Sequence, residues 1–221
     1  MDIIESFSTA VSPPHKAGYP FILGGLGVTV LGLIIWHPLA WLGVLFTVFC
    51  LYFFRDPERV ISTRAGAIVA PADGLIVSIE RAIPPAELGL PAEPLTRVAI
   101  FLSVLDVHVN RTPIAGVVEK IAYHPGLFLS AAEDKASDDN ERNAVLLRLA
   151  DGTKLAVVQI AGLIARRILC EVKEGDSLAT GQRFGIIRFG SRTDLYLPEG
   201  AEPLVLVGQR TLGGETVIAT L

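Results

Sequence analysis

The sequence predicts a mainly β fold, a barrel or sandwich of short strands, preceded by an N-terminal apolar helical hairpin. Three observations predict it. The 38 residues between Lys16 and Arg55 contain no Asp, Glu, Lys or Arg. From Val60 onward, apolar runs of four to nine residues are broken by Gly and Pro. After Phe54 no segment sustains a helical period over a convincing length, and 164–170 is the one ambiguous piece.

The uncharged window holds both tryptophans and nine of the sixteen aromatics. It divides into two apolar lobes, 19–35 and 39–54, around Trp36-His37-Pro38. Each lobe is a little shorter than the roughly 20 residues that span a bilayer core. Three membrane arrangements fit: a hairpin returning to its starting side, one kinked span, or an interfacial anchor. The hairpin has the most support, because Trp36-His37-Pro38 supplies a turn with interfacial aromatics. A buried helix pair in a soluble core does not need such a window. A signal peptide fits poorly, since Asp2 and Glu5 stand where a basic region belongs. Lys16 before the window, and Arg55, Arg59 and Arg64 after it, put both flanks on the cytoplasmic side. The expected organisation is a membrane-associating segment 1–57 and a β-rich domain 58–221.

All 42 charged side chains fall outside the window, at a density ordinary for a folded domain. The net charge of −4 and the lack of a Lys/Arg cluster exclude a basic nucleic-acid reader. Cys50 and Cys170 form neither a disulfide framework nor a metal knuckle.

Nine strands follow, at 67–70, 75–80, 97–103, 114–122, 144–149, 154–160, 184–189, 194–197 and 216–219. Pro71-Ala-Asp-Gly-Leu-Ile-Val-Ser-Ile and Pro113-Ile-Ala-Gly-Val-Val-Glu-Lys-Ile echo one another. Val172-Lys-Glu-Gly-Asp-Ser-Leu reads as strand, turn and strand. These units resemble those of biotinyl/lipoyl carrier barrels, with glycines expected at turn positions of positive φ. The carrier's modified lysine has no counterpart. The polar stretch 130–143 reads as a long loop, either a solvated surface or a lid.

No Gly-x-Ser-x-Gly elbow, His-Glu-x-x-His or phosphate loop is present. Gly190-Ser191 lies between two strand-like runs, where a serine is ordinarily a turn residue. His15 precedes the apolar window and His37 lies inside it, leaving His108 and His124 as candidate bases. In Leu105-Asp-Val-His-Val, Asp106 and His108 are expected on one strand face, where a carboxylate can orient an imidazole. Each also has a bland reading: Asp73 as a turn residue, Asp106 as a salt-bridge partner, His108 as a satisfied core histidine.

Phe189-Gly-Ser-Arg-Thr-Asp-Leu-Tyr-Leu-Pro198 resembles the self-cleavage segment of the phosphatidylserine decarboxylase proenzymes in their short bacterial form. Phe54-Arg-Asp-Pro57, Ala70-Pro-Ala-Asp-Gly74, Phe101-Leu-Ser-Val-Leu-Asp-Val-His-Val-Asn110, Tyr123-His-Pro-Gly126, Asn140-Glu-Arg-Asn143 and Val172-Lys-Glu-Gly-Asp176 agree, in order along the chain. The resemblance implies that Ser191 attacks the carbonyl of Gly190 and that the chain splits into 1–190 and 191–221. The two fragments would stay together as a heterodimer, with higher oligomers left open. Ser191 would become a covalent pyruvoyl group, which forms a Schiff base with phosphatidylserine and releases carbon dioxide and phosphatidylethanolamine. No metal is then required. Asp73 and His108 match the relay that activates the serine, with Asp106 a second candidate for orienting His108. The partner would be a membrane phospholipid, and the location the inner cell membrane with the catalytic domain on the cytoplasmic side. One departure stands out. Many longer members carry His-x-x-His where this chain has His108-Val-Asn-Arg111, and an arginine is no base near neutral pH. Arg111 and His124 are therefore candidate substrate contacts. The competing readings are a membrane-anchored adaptor or carrier without catalysis, and a membrane serine hydrolase.

Overall fold

In a computed structural model, the described residues are 12–126, 140–162, 167–188 and 191–221. The chain divides into two compact units, Met1–Glu58 and Arg59–Leu221.

The first unit is a pair of helices, α1 (Tyr19–Ile35) and α2 (His37–Phe53). Between them Trp36 is extended at φ −163° and ψ 110°, and Pro38 sits in the first turn of α2, where its missing N–H leaves no bond unmade. Small residues let the two backbones close. Gly25 lies against Thr47, Gly43 against Thr29, and a Cβ on Gly32 would stand 2.2 Å from the Ala40 nitrogen. The two ends of the pair are tied together. The His15 N–H donates to the Phe54 carbonyl at 2.6 Å, and the Asp56 N–H to the Pro13 carbonyl at 3.0 Å. The remaining surface is apolar and exposed, as at Ile34 and Trp41. The helical run Lys16–Ile35 is, by length and composition, able to cross a membrane.

The second unit is built on an antiparallel eight-stranded sheet that curls as a half-barrel. Its strands are β2 (Gly74–Ala82), β3 (Leu95–Leu102), β5 (Gly116–His124), β6 (Arg142–Arg148), β7 (Lys154–Ala161), β9 (Ser177–Leu178), β11 (Ser191–Tyr196) and β12 (Arg210–Thr211). They run in the order β12-β2-β3-β11-β7-β6-β5-β9. A three-stranded sheet holds β4 (Val109–Arg111), β10 (Arg183–Ile187) and β8 (Ile168–Cys170), in the order β4-β10-β8. A third sheet pairs β1 (Ala67–Val69) with β13 (Val217–Thr220). The core packs inside the curl, with Ile100, Val157, Leu195, Phe184 and Ile218 all buried in it.

All nine expected strands have counterparts. The four additional ones, β4, β8, β9 and β12, are two or three residues long, too short to impose a period on the sequence. Two expectations change. Ser191 is not in a turn: it opens β11, in the middle of the large sheet. Gly74 and Gly116, the matching glycines of the two echoes, begin β2 and β5 and serve close backbone approach, not turns. A Cβ would meet the Phe101 carbonyl oxygen at 2.3 Å from Gly74, and that of Arg148 at 3.0 Å from Gly116. Of the expected loop 130–143, residues 130–139 lie outside the described residues, and Arg142 and Asn143 already belong to β6.

Candidate active site

The site is built where the large sheet meets the three-stranded one. Strand register places Ser191 between Leu102 of β3 and Ala161 of β7. Beyond β7, the Ala161 N–H donates to the Glu141 carbonyl at 2.9 Å. Ser191, Ala161 and Glu141 therefore form one row across the last rung of the sheet. The facing sheet supplies a second row. Ile187 pairs with Ile168, and its N–H donates to the His108 carbonyl at 3.2 Å.

The two rows lie against each other. Ala161, Ile168 and Ile187 form one buried cluster, and the Ile168 N–H donates to Glu141 Oε1 at 3.2 Å. The remaining members of the two rows are Ser191 and His108, which lie on the same side of that cluster. Asn110 repeats the match one step along. Its Nδ2 donates to Thr193 Oγ1 at 3.4 Å, two residues from Ser191 on the same face of β11. Asn110 continues a wholly buried polar chain: Gln159 donates to it at 2.7 Å, and Asn143 donates to Gln159 at 2.9 Å. Sequence reading singles out none of these partners, because an isolated Asn, Gln or Thr inside a strand carries no pattern.

Ser191 and His108 are completely buried. The Ser191 hydroxyl has no hydrogen-bond partner among the described residues. Burying a hydroxyl unpaired costs stability, which sets this atom apart from the packed side chains around it. His108 Nδ1 lies 2.9 Å from the carbonyl oxygen of Asp106. A carbonyl can only accept, so Nδ1 carries the proton, and Nε2 is the acceptor of the neutral ring.

The two aspartates are arranged differently from each other. Asp106 and His108 do not share a strand face: Asp106 lies in the turn between β3 and β4. Its Oδ2 accepts from the Ser103 N–H at 2.9 Å and the Ser103 hydroxyl at 2.7 Å, and its Oδ1 accepts from Arg210. The carboxylate closes that turn, and only the backbone of Asp106 touches the imidazole. Asp73 lies on a segment that runs antiparallel to β4. The Arg111 N–H donates to the Pro71 carbonyl and the Val69 N–H to the Pro113 carbonyl, both at 2.8 Å. Residues 71–73 bend ahead of β2, and Asp73 lies within electrostatic reach of Asp106. Asp73 Oδ2 accepts from Arg59 at 2.6 Å and its Oδ1 from the Gly213 N–H at 2.8 Å. Burial pushes the Asp73 carboxyl above its ordinary range, Arg59 pulls against that, and the nearby Asp106 charge adds to the rise. Arg59 had no signal in the sequence beyond being a flanking cation.

Other expected residues lie elsewhere. Arg111 is buried and donates to the Gly181 carbonyl at 3.0 Å, a tie between turns. His124 ends β5, three strands from β11 and on the opposite face of the sheet. It lies 3.8 Å from Glu87, which also pairs with Arg142 at 2.5 Å. That outer face carries a cavity of about 490 Å³ lined by Arg97, Arg142, Asp194 and Tyr196 among others. The sheet separates it from Ser191. Gly190 lies outside the described residues. Among the described residues, no group of three or more His, Cys, Asp or Glu side chains is placed to hold a metal ion.

Comparison with known proteins places the chain in a family. Residues 46–219 match the family model for phosphatidylserine decarboxylase. The phosphatidylserine decarboxylase proenzyme of Cereibacter sphaeroides is 62% identical over 218 residues, covering 99% of this chain and 94% of its own length. That of Granulibacter bethesdensis is 61% identical over 221 residues, covering 100% and 91%. That of Gluconacetobacter diazotrophicus is 57% identical, with full coverage of both chains. With a family model spanning most of its length and relatives this similar end to end, the chain belongs to the phosphatidylserine decarboxylase family.

Proposed function

We propose that the chain is a self-processing decarboxylase that converts phosphatidylserine to phosphatidylethanolamine and carbon dioxide, using a pyruvoyl group made from Ser191. The observation that carries this reading is the buried Ser191 hydroxyl at the head of a central strand, without a hydrogen-bond partner among the described residues.

In the processing step His108 Nε2 takes the Ser191 proton, and Oγ attacks the carbonyl carbon of Gly190. The bond from that carbon to the Ser191 nitrogen breaks, and an ester replaces the amide. Elimination then frees residues 1–190 with a terminal carboxylate. Addition of water and loss of ammonia leave a keto group at residue 191. The Asp106 carbonyl holds the imidazole in the required tautomer, and the Asp73 carboxylate stabilises the ring while it is charged. A serine hydroxyl is a weak nucleophile until such a base is in place. The residues present fit the group: the buried Ser191 oxygen has no competing partner among the described residues, and the ladder to β3 and β7 fixes its carbon. When present, the pyruvoyl group supplies a carbonyl system that takes up the electron pair left as carbon dioxide departs.

The apolar hairpin fits a membrane-held enzyme whose substrate is confined to the bilayer. Its basic flanks favour the cytoplasmic face of the cell membrane.

The test is a denaturing gel of the purified protein, with assay of carbon dioxide released from phosphatidylserine in vesicles. Two bands are expected, the smaller with a pyruvoyl terminus by mass spectrometry, and Ser191→Ala should remain one uncut, inactive chain. A wild-type protein that stays whole and releases no carbon dioxide would refute the reading, and an uncut chain that cleaves esters would favour a serine hydrolase.

A further inference from the structure

We propose that Glu141 is a second acid–base residue of this site, the one that delivers a proton to the substrate's α-carbon as carbon dioxide leaves. The inference rests on the decarboxylase reading above. Decarboxylation leaves an electron pair where the carboxyl was attached, and a new C–H bond must form there, so the site needs an acid within reach. Three carboxyl groups and one imidazole stand around the Ser191 corner in the described residues. Asp73 is paired with Arg59, Asp106 is taken up by Ser103 and Arg210, and His108 serves Ser191 as its base. Among the described residues, Glu141 is the one of these carboxyls with no cation paired to it in the same way.

Its placement is specific. Glu141 shares the row of Ser191 and the sheet face of Ser191, with only Ala161 between them. Two strand spacings separate the two backbones by about 10 Å. A substrate headgroup joined at residue 191 can bridge that gap. The side chain is buried, and the Ile168 N–H donates to its Oε1. Tyr123, well exposed on β5, lies within interaction range of the Glu141 side chain and connects it to water.

The step balances. The bond between the α-carbon and the carboxyl breaks and carbon dioxide leaves. As the electron pair returns, the Glu141 proton forms the C–H bond. Glu141 is left as a carboxylate and recovers its proton from water through Tyr123.

The test is Glu141→Gln, which keeps the acceptor for Ile168 but cannot protonate carbon. The variant should still split into two fragments. Its kcat for carbon dioxide release should fall about a hundredfold or more, with KM little changed. During turnover, the small fragment's terminus should convert from the mass of a pyruvoyl group to that of alanine. Without Glu141 the proton goes to the cofactor carbon instead, the substrate's nitrogen stays behind, and an aldehyde departs. Glu141→Asp should recover part of the rate. Tyr123→Phe, at an exposed position, should be processed normally and lower kcat alone, which keeps the inference open to refutation if the Gln variant does not fold. A Glu141→Gln protein that turns over like wild type, or that stays uncut though folded, overturns the assignment. A wild-type protein that neither splits nor decarboxylates points instead to failure of the underlying reading.

Discussion

Replacing Arg59 by leucine tests whether the Asp73 charge takes part in processing. Arg59 donates to Asp73 at 2.6 Å, and both side chains are about nine-tenths buried. With charge centres about 4 Å apart and an effective dielectric of about 20, the attraction is about 4 kcal/mol. Burial already holds that carboxyl above its ordinary range, and removing Arg59 takes away the strongest influence pulling it down, so its titration should move further upward. The sign follows: processing needs the charged form, so the acid limb of its pH–rate profile should shift to higher pH. Stability moves the same way. A carboxyl harder to ionise when folded loses stability as pH rises from its unfolded value through its folded one, and the variant should lose more of it. The assay follows the uncut band on a denaturing gel over time, from pH 5 to 9. Arg59→Leu should be slow at neutral pH and recover in base, and Arg59→Lys should restore most of the wild-type profile. An Arg59→Leu profile superimposable on the wild type would remove the Asp73 charge from the reaction.

Three further outcomes follow from the geometry. Gly185→Ala would put a Cβ 2.4 Å from the Leu169 carbonyl oxygen and 3.2 Å from Gln159 Nε2. It should cost about 1–3 kcal/mol in urea unfolding and slow processing, because β10 carries the contact to His108. Arg192→Met leaves the Asp194 carboxylate, 1% exposed, without its bidentate partner, at a cost of about 3–5 kcal/mol, and Arg192→Met with Asp194→Leu should recover most of it. In the hairpin, Gly43→Val places side-chain atoms where Thr29 N stands 2.5 Å from the Cβ position. Cys50, completely buried two turns farther along α2, should then become reactive to maleimide in a Cys170→Ser background.

Sequence alone discloses the elements whose signal is long. The apolar hairpin and the nine longer strands are legible because burial on one face repeats over many residues. Ser191 and His108 stand out by residue type and by the motif around them. What stays hidden depends on contacts between distant segments. Arg59 and Asp73 are 14 residues apart, and nothing local links them. The Asn110–Gln159–Asn143 chain joins three strands from three parts of the sequence. Asp106 shows the reverse error. Its spacing from His108 implies a shared face, but that rule holds only inside a strand, and a Ser103–Asp106 turn intervenes. His124 fails because residue type says nothing about which side of a sheet a strand end presents.

The position of the serine also accounts for how a chain cut there could stay whole. Residues 191–221 contribute β11, β12 and β13, and each pairs with a strand from the segment before the cut: β11 with β3 and β7, β12 with β2, and β13 with β1. No hydrogen-bonded ladder of the small fragment depends on the severed peptide bond. Its core residues Leu195, Leu197, Val205 and Ile218 are packed into the same cluster as those of the large fragment. On the proposed reading, scission therefore exchanges a backbone bond for a reactive terminus without releasing that terminus. A cut farther along β11 would sever a strand between two ladders. A cut far before Ser191 would leave the new terminus on a tether, away from His108 and Glu141. A junction at the first residue of a central strand avoids both, because the ladders hold the reacting carbon in place and the chain before it can depart.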